Sequence, residues 1–313
     1  MKRNYNVFQA KNLKNFDGNI YLFSDSHQKI AIQNISKILK RYNLKHEISK
    51  ILKNDLNSIE NGDMVFITGD YEFIKKASKE LKKRDGILFD CLENWTQSEI
   101  KTETLLALGY RDYEDISCNR ILISEKTPEK ITIRRVFHDG NIISRNNTVR
   151  LGSITYVADN CLISLFGNKS YVRIADKVTI RTLEIQVSTK GKVFIDTDVM
   201  MARSIKILQT SQHLIFDLDT KLRINQSKDV YVGKHVWLGW ESMLLGGTHI
   251  PNNCILGARS ITSSVFKHAN CIIAGSPAKI IRRNIIWSRD SARHDHQHFD
   301  DCKDQAALQY VES

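Results

Sequence analysis

The feature that most constrains this chain is a six-residue repeat in its C-terminal half. From Val230 the sequence can be written as VYVGKH, VWLGWE, SMLLGG, THIPNN, CILGAR and SITSSV. The third position of each unit is a large aliphatic residue in all but the last: Val232, Leu238, Leu244, Ile250, Leu256 and Thr262. A hexapeptide period predicts a parallel β-helix, in which each unit supplies one strand and one corner of a triangular coil. A single coil cannot bury its aliphatic positions, so stacking of coils supplies the core.

The same period continues upstream. Ile195, Met201 and Ile207 are spaced at six residues, and Ile174 and Ile180 form an earlier pair. Residues 181–192 break the count and predict a longer loop or strand excursion. A β-sandwich would instead show alternation of apolar and polar residues within strands, with turns every ~8–12 residues. We therefore expect one β-helix domain over residues 130–289.

Residues before this region follow another pattern, in which short apolar runs alternate with amphipathic segments. The expected strands are Asn19–Phe23, Asp63–Thr68, Gly86–Cys91 and Arg120–Ser124. The expected helices are 28–42, 72–84 and 96–109. Alternating strands and helices predict an α/β domain with a parallel sheet. The predicted fold class is mixed: an N-terminal α/β domain over 1–126, a left-handed parallel β-helix over 130–289, and a flexible polar tail over 290–313.

Composition narrows the classes of function. The formal net charge is +11, but the lysines lie along amphipathic segments such as 75–84, which indicates a solvated face rather than a nucleic-acid module. An anionic ligand or polymer is the alternative. The six cysteines form no CxxC pair, which favours reduced thiols and a cytoplasmic location. We find no signal-peptide pattern and no run of ~18 apolar residues, so no membrane span is expected.

Two motifs resemble a known family, the hexapeptide-repeat acyltransferases. They are 213-HLIFDLDTKLRINQSKDVYVGKHVWLG-239 and 272-IIAGSPAKIIRRNIIW-287. The resemblance covers about residues 140–289 and is nearest to enzymes that O-acetylate bacterial surface polysaccharides, including sialic-acid capsules. It implies a left-handed helix, a homotrimer with active sites between neighbouring prisms, acetyl-CoA as donor and no metal. The implied acceptor is a hydroxyl of a polysaccharide or sugar.

The resemblance implies two catalytic residues, His213 and Trp237. Transfer of an acetyl group to a hydroxyl needs a general base, and histidine suits that role near neutral pH. Asp217, Asp219 or a backbone carbonyl would orient the imidazole, and the sequence leaves these alternatives open. The indole N–H of Trp237 is a donor that would bond the thioester sulfur or a developing oxyanion, or the ring would only line the site.

The same resemblance implies a coenzyme A site at the end of the helix. Its small residues, which allow a pantetheine arm to lie close, are Gly239, Gly257, Ala258 and Ala274. Its cations, placed near the nucleotide phosphates, are Lys279, Arg282 and Arg283. Charge-assisted hydrogen bonds make such side chains good phosphate ligands.

Other interpretations remain at this stage. One is an N-acetyltransferase acting on an amino-sugar nucleotide, and another is a non-catalytic β-helix that binds glycan or acts as a scaffold. A zinc enzyme would use His213 with His235 and His249, but their spacing differs from that of the zinc carbonic anhydrases that share the fold. The tail sequence HDHQH at 294–298 is expected to be a polar segment without a metal. The SDSH sequence at 24–27 is expected to be a loop or an acceptor-binding site.

Overall fold

The structure is a computed structural model. It describes residues 146–311 without a break, together with shorter segments of the N-terminal part of the chain. These are 20–24, 48–52, 59, 64–69, 88–93, 99–101, 112–114, 119–124, 130–135, 137–138, 141–142 and 144. Among all of these residues there is no helix of the length and apolar character that crossing a membrane requires.

The described residues form strands joined by short turns. In chain order the strands are β1 (Ile20–Ser24), β2 (Ile48–Leu52), β3 (Met64–Gly69), β4 (Leu88–Glu93), β5 (Glu99–Lys101), β6 (Asp112–Glu114), β7 (Arg120–Ile123), β8 (Ile131–Arg135), β9 (Phe137–His138), β10 (Asn141–Ile142), β11 (Thr148–Leu151), β12 (Tyr156–Leu165), β13 (Tyr171–Ile174), β14 (Thr179–Val187), β15 (Lys192–Ile195), β16 (Met200–Met201), β17 (Ile205–Leu208), β18 (Val230–Val232), β19 (Trp237–Leu238), β20 (Met243–Leu245), β21 (His249–Ile250), β22 (Ile255–Leu256), β23 (Ile261–Thr262), β24 (Ile272–Gly275) and β25 (Ala278–Arg282). Three short 3-10 helices follow: Ala292–His294, Phe299–Asp301 and Gln305–Tyr310.

Most of these strands build three parallel faces of a triangular prism. Face 1 contains β7, β11, β13, β15, β18 and β21. Face 2 contains β16, β19, β22 and β24 with the first residues of β12 and β14. Face 3 contains β8, β17, β20 and β23 with the remainder of β12 and β14. The chain visits the faces in the order 1, 2, 3, and this repeated order is the β-helix that the hexapeptide period predicts.

The register confirms the six-residue repeat. Val232 pairs with Ile250 and Leu238 pairs with Leu256, so one coil here takes eighteen residues, or three repeat units. All six third positions are buried, including Thr262, at 2% exposure. The Thr262 hydroxyl accepts a hydrogen bond from the backbone N–H of Ser264 at 3.1 Å, which satisfies this polar group inside the prism.

The break in the repeat at 181–192 is a strand excursion, as predicted. Strand β14 runs without interruption around the corner between face 2 and face 3. Its Thr179 pairs with Met200 on face 2, and its Leu183 pairs with Ile205 on face 3. The corner therefore takes extra residues without leaving the ladder, and the apolar period resumes afterwards.

The N-terminal strands β1 to β4 form a separate parallel sheet in the order β2-β1-β3-β4. Three of the four expected strands, near residues 19–23, 63–68 and 86–91, are thereby confirmed. Strand Ile48–Leu52 was not expected, because its apolar residues have a spacing that also fits a helix. The helices expected at 28–42 and 72–84 lie outside the described residues, so the α/β class of this part stays a prediction.

Two expectations about residues 96–124 are wrong. The helix expected over 96–109 is interrupted by the strand Glu99–Lys101, which pairs antiparallel with β8. The strand expected at 120–124 exists, but it pairs with β11 of the β-helix rather than with the N-terminal sheet. Together with β6, which pairs antiparallel with β7, strand β5 covers the first edges of faces 1 and 3. Covering these edges removes unpaired backbone groups that would invite association.

Residues 287–311, which we call the tail, pack onto the prism, whereas the sequence predicted a flexible segment from residue 290. The tail lies at the corner between face 1 and face 2, where Asp198 and His235 follow one another in successive coils with φ of 65° and 51°. The buried His235 ring stacks between Trp287, at a centroid distance of 4.0 Å, and Tyr310, at 5.1 Å. The Trp287 indole N–H donates to the His235 carbonyl oxygen at 2.9 Å.

Asp198 connects this corner to the tail. One of its carboxylate oxygens is 2.8 Å from His235 Nδ1, and the other accepts from Arg289 Nε at 2.8 Å. His235 Nε2 faces the Trp287 carbonyl oxygen at 3.0 Å, so the full set of bonds forms only when both ring nitrogens carry a proton. Burial by itself would raise the pKa of Asp198, but the hydrogen bond with His235 and the charge of Arg289 outweigh it and lower that pKa.

We predict that Asp198→Asn destabilises the protein by ~1–3 kcal/mol, because it removes the charged acceptor of two hydrogen bonds. A lowered native pKa means that the stabilisation is present above the ordinary value of 3.8 and is lost as the pH falls through the lowered value. The difference in free energy of unfolding between wild type and variant, measured with urea, is therefore expected to shrink below that pH. Asp300→Asn, at an exposed tail position, is the control. Equal losses in both variants would contradict the assignment.

Candidate active site

Residues 210–228 leave the prism between β17 and β18, at the corner of face 3 and face 1. We call this segment the arm. Gln209 closes its base: its side-chain Nε2 donates to the Lys228 carbonyl at 3.1 Å and its Oε1 accepts from Ser188 N–H at 3.0 Å. Further out the arm doubles back, and Ile224 N–H donates to the Ile215 carbonyl at 3.0 Å. The arm is thus a short hairpin on a closed base.

His213 lies where the arm begins. Its backbone N–H donates to the Ser211 carbonyl at 2.7 Å, and its carbonyl accepts from Asn225 Nδ2 at 2.6 Å. The same Asn225 side chain accepts from Ile215 N–H at 2.8 Å, so one amide joins both strands of the hairpin. The His213 imidazole is exposed and has no hydrogen bond among the described residues. The backbone is therefore fixed while the side chain is available for chemistry.

The sequence reasoning missed Asn225, which holds the His213 backbone, and the structure places the Asp217 carboxylate in a turn of its own. The Asp217 carboxylate accepts from the backbone N–H and the hydroxyl of Thr220, both at 2.8 Å, and these bonds lower its pKa. It also accepts from Asp219 N–H at 3.1 Å. Asp217 is thus committed to the turn at the tip of the arm. The side-chain amide of an Asn in a loop carries both donors and an acceptor, and this was the sequence signal that could have identified Asn225.

The arm exposes an unusual amount of apolar surface for a loop. Its large apolar side chains are between 51% and 80% exposed: Leu214, Ile215, Phe216, Leu218, Leu222 and Ile224. Clustered exposed apolar side chains of this kind mark a contact surface, whereas single ones do not.

Trp237 stands outward on face 2, as the repeat requires, since its neighbours Val236 and Leu238 are fully buried. It pairs in register with Met200 below and Ile255 above, so these side chains form an outward column on that face. Its ring lies 6.0 Å from Trp287 between centroids. The docked tail therefore forms one wall beside the indole.

A groove of about 590 Å³ opens on face 2 beside this indole. It is lined by apolar and cationic residues: Tyr156, Thr179, Ile180, Arg181, Met200, Met201, Ala202, Arg203, Trp237 and Trp240. The sequence singled out only Trp237 among these. The others belong to four successive coils, and only the stacking register places them together.

His213 and Trp237 do not meet within one chain. The arm leaves at the corner between faces 3 and 1, whereas Trp237 lies on face 2, which is the face opposite that corner in a triangular prism. If both residues serve one reaction, they must come from two copies of the chain.

The small residues implied for coenzyme A form a column at the corner between face 2 and face 3. Gly239 N–H donates to the Leu256 carbonyl at 2.7 Å, and Gly257 N–H donates to the Ile273 carbonyl at 2.8 Å. Gly239 is buried, and a Cβ there would lie 2.6 Å from the Ala258 backbone nitrogen. Its lack of a side chain is therefore explained by coil stacking. The other three, Gly257, Ala258 and Ala274, are at least partly accessible and leave a shallow strip along the corner.

The implied cations lie at the end of this strip. Strand β25 folds back antiparallel on β24, so Lys279 pairs with Ala274 and Arg282 pairs with Ile272. Both cations are exposed, as is Arg283, whose charge opposes the effect of burial on the pKa of Cys271. Burial prevails and raises the pKa of that thiol. The structure thus brings small residues and cations into one continuous strip, which fits a thioester arm with a phosphorylated end.

The histidines of the zinc alternative do not converge. His235 is buried with both ring nitrogens facing oxygen atoms, His249 stands outward on face 1, and His213 lies on the arm. Within the part of the chain that the structure describes, no group of three His, Cys, Asp or Glu side chains is placed to hold a metal ion.

Parts of this chain are similar in sequence to known proteins. No family model matches the chain. A polysialic acid O-acetyltransferase of Neisseria meningitidis is 39% identical over 153 residues, which is 47% of this chain and 71% of that protein. A polysialic acid O-acetyltransferase of Escherichia coli O1:K1 is 36% identical over 121 residues, which is 38% of this chain and 39% of that protein. A crystal structure of a polysialic acid O-acetyltransferase has 32% identity and a TM-score of 0.41, covering 53% of this chain and 86% of that one.

The likeness to the Neisseria protein extends over more than two thirds of that protein's length. The chain belongs to the hexapeptide-repeat acetyltransferase family.

Packing at Gly239 gives a test of the coil geometry that is independent of catalysis. We predict that Gly239→Ala costs about 1–3 kcal/mol of stability, because the new Cβ meets backbone atoms that cannot move without shifting a coil. Gly257→Ala is the matched control, since its Cβ would meet the Ala274 side chain at 3.0 Å. The loss of stability in Gly257→Ala, measured by urea unfolding, is expected to be smaller than that in Gly239→Ala. A Gly239 variant as stable as wild type would contradict the register.

Proposed function

We propose that the protein is an acetyl-CoA-dependent O-acetyltransferase acting on sugar hydroxyls of a capsular or other surface polysaccharide. The observation that carries the proposal is His213, whose backbone is fixed by Ser211 and Asn225 while its imidazole stays exposed. The relatives named above are polysialic acid O-acetyltransferases, which supports an acidic polysaccharide as acceptor.

We propose that the working form is a homotrimer. The arm of one subunit would lie across face 2 of its neighbour, which brings His213 of one chain beside Trp237 of the other. Two observations support this arrangement: the two residues lie on opposite sides of a single prism, and the arm exposes six large apolar side chains. Burial of apolar surface is worth about 25 cal/mol per Å², so covering the arm would contribute to assembly.

In the proposed reaction His213 takes the proton of the acceptor hydroxyl. The hydroxyl oxygen would then attack the thioester carbonyl carbon, the carbon–sulfur bond would break, and coenzyme A would leave as its thiol with the proton that His213 returns. The Trp237 indole N–H would donate to the oxyanion or to the sulfur. The strip from Gly257 to Ala274 would hold the pantetheine arm, with Lys279, Arg282 and Arg283 at the phosphates. Acetyl-CoA supplies the activated acetyl group when bound.

We further propose a reducing, cytoplasmic location. Among the described residues, no disulfide involves Cys161, Cys254, Cys271 or Cys302, and the first three of these side chains are buried. Burial raises the pKa of Cys161 to about 12, so this thiol is inert and serves as a small core residue.

We predict that His213→Ala lowers kcat by about 10²–10⁴-fold, because it removes the general base. Product formation is measured by NMR as new acetyl esters on polysialic acid incubated with acetyl-CoA. The variant is expected to keep the thermal stability of wild type and its stabilisation by acetyl-CoA, since the exposed imidazole makes no described contact. His268→Ala, an exposed histidine on the prism, is the matched control. A His213 variant that turns over normally would remove this residue from the mechanism.

A mixing experiment tests the shared site. His213→Ala and Trp237→Ala are each expected to be nearly inactive, but co-expression of both should restore activity. In random trimers about one quarter of the sites would combine an intact His213 with an intact Trp237 of the neighbour. If the two residues worked within one chain, no site in the mixture would be intact. Absence of any recovery, with mixed trimers verified by two affinity tags, therefore contradicts the shared site.

A further inference from the structure

Face 1 carries a run of outward side chains that the proposed reaction does not use. Along its length, residues in successive coils pair in register: Leu122, Arg150, Arg173, Phe194, Tyr231 and His249. A second row beside it pairs in the same way: Arg120, Thr148, Tyr171 and Lys192. Neighbouring members are about 4.8 Å apart along the prism, the spacing of paired strands.

The strands of this face carry cations, and its carboxylates lie at the strand ends, where Asp229 accepts from Lys192 N–H at 2.9 Å and Asp196 accepts from the Tyr231 hydroxyl at 3.2 Å. Four of these outward residues are cationic, and none of the outward positions of β7, β11, β13, β15, β18 and β21 is occupied by Asp or Glu. Arg150 and Arg173 stand directly opposite one another, and neither guanidinium has a hydrogen bond or ion pair with another described residue. Like charges in directly opposed positions destabilise a sheet. The free protein gains nothing from this pair, which points to a ligand of opposite charge.

A groove of about 550 Å³ lies at this pair. Its lining includes Leu122, Arg150, Gly152 and Arg173. Asp176 also lines it, but one oxygen of that carboxylate accepts a hydrogen bond from Ser153 N–H at 2.7 Å. The groove therefore offers two guanidinium groups beside one carboxylate, so cations outnumber anions in it. Guanidinium groups bind carboxylates through paired hydrogen bonds.

Aromatic rings continue the row towards the arm. Tyr171 and Phe194 lie 5.5 Å apart between centroids, and Tyr231 meets His249 edge-on at 4.7 Å. Aromatic rings give flat apolar surfaces against which the apolar side of a sugar ring packs. Face 1 borders the corner from which the arm leaves, between β15, β17 and β18. A chain lying along this face would thus end beside His213.

We propose that face 1 is a docking track for an acidic polysaccharide, with Arg150 and Arg173 binding sugar carboxylates and Phe194 and Tyr231 supporting the sugar rings. The track deepens the proposed function and rests on it. The track would hold the polymer while one sugar unit of the polymer reaches the arm. It predicts that long acidic acceptors bind more tightly than short ones, because only a long chain spans both the cations and the arm.

The experiment measures binding without acetyl-CoA, so that it does not depend on turnover. The full chain is titrated with long-chain polysialic acid, and retention is followed by affinity electrophoresis. Arg150→Gln with Arg173→Gln is expected to weaken binding about fivefold to tenfold, and to flatten the dependence of affinity on salt. Phe194→Ala is expected to weaken it at unchanged charge. Lys206→Gln, an outward cation on face 3, is the matched control and should bind as wild type does.

Three outcomes would overturn the track. Polymer binding that is unchanged in the double variant removes the arginines. Dissociation of the oligomer in the double variant means that face 1 is a subunit interface. If single-stranded DNA displaces bound polysialic acid at a lower concentration than added polysialic acid does, face 1 is a nucleic-acid site.

Failure of the proposed function would look different. If wild type binds polysialic acid through Arg150 and Arg173 but forms no acetyl ester, the track stands and the transferase assignment fails. If wild type and the double variant acetylate a short sialic-acid oligomer equally well, but the double variant acetylates long polymer less well, the track and the transferase assignment both stand. Equal losses on short and long acceptors would contradict the track alone.

Discussion

The structure depends on one constraint, the in-register stacking of coils that hold eighteen residues each in the repeat region. Stacking places equivalent side chains directly above one another, so every position in a coil becomes a column. Inward columns of Val, Ile and Leu build a continuous core of fully buried residues. Outward columns are free to carry chemistry, and each face therefore has its own character. The corners take backbone conformations with positive φ, which polar residues such as Asn253 and Asn270 adopt at lower cost than β-branched ones.

The same constraint separates the parts of the proposed site. The arm replaces a turn at one corner, and the indole of Trp237 stands on the opposite face. A rigid prism cannot fold these two together, which is why the proposed site draws on two subunits. The apolar arm and the groove on face 2 are the surfaces that such an assembly would bring into contact.

The docked tail links stability to this site. Trp287 packs on His235 and lies beside Trp237, and Arg289 donates to the Asp198 carboxylate. The tail therefore fixes one wall of face 2 through a corner that is polar and buried. Asp198 and His235 are tolerated here because both carboxylate oxygens and both ring nitrogens have a partner. Without the tail, the His235 ring nitrogen that faces Trp287 would lack its acceptor.

The sequence by itself determined the β-helix, the third-position core and the outward place of Trp237, because a period of six residues leaves no other regular solution. Its motifs also pointed to His213 and to the strip with its cations. Only the tertiary structure decided which residues of different coils are neighbours. These contacts are the Asn225 hydrogen bond to the His213 carbonyl, the lining of the face 2 groove, the pairing of Arg150 with Arg173 on face 1, and the packing of the tail. Strand Arg120–Ile123 shows why, since a short apolar run reads the same in either sheet until its partner is known. Periodicity is local information, whereas neighbours in adjacent coils are set by corner lengths that vary along the chain.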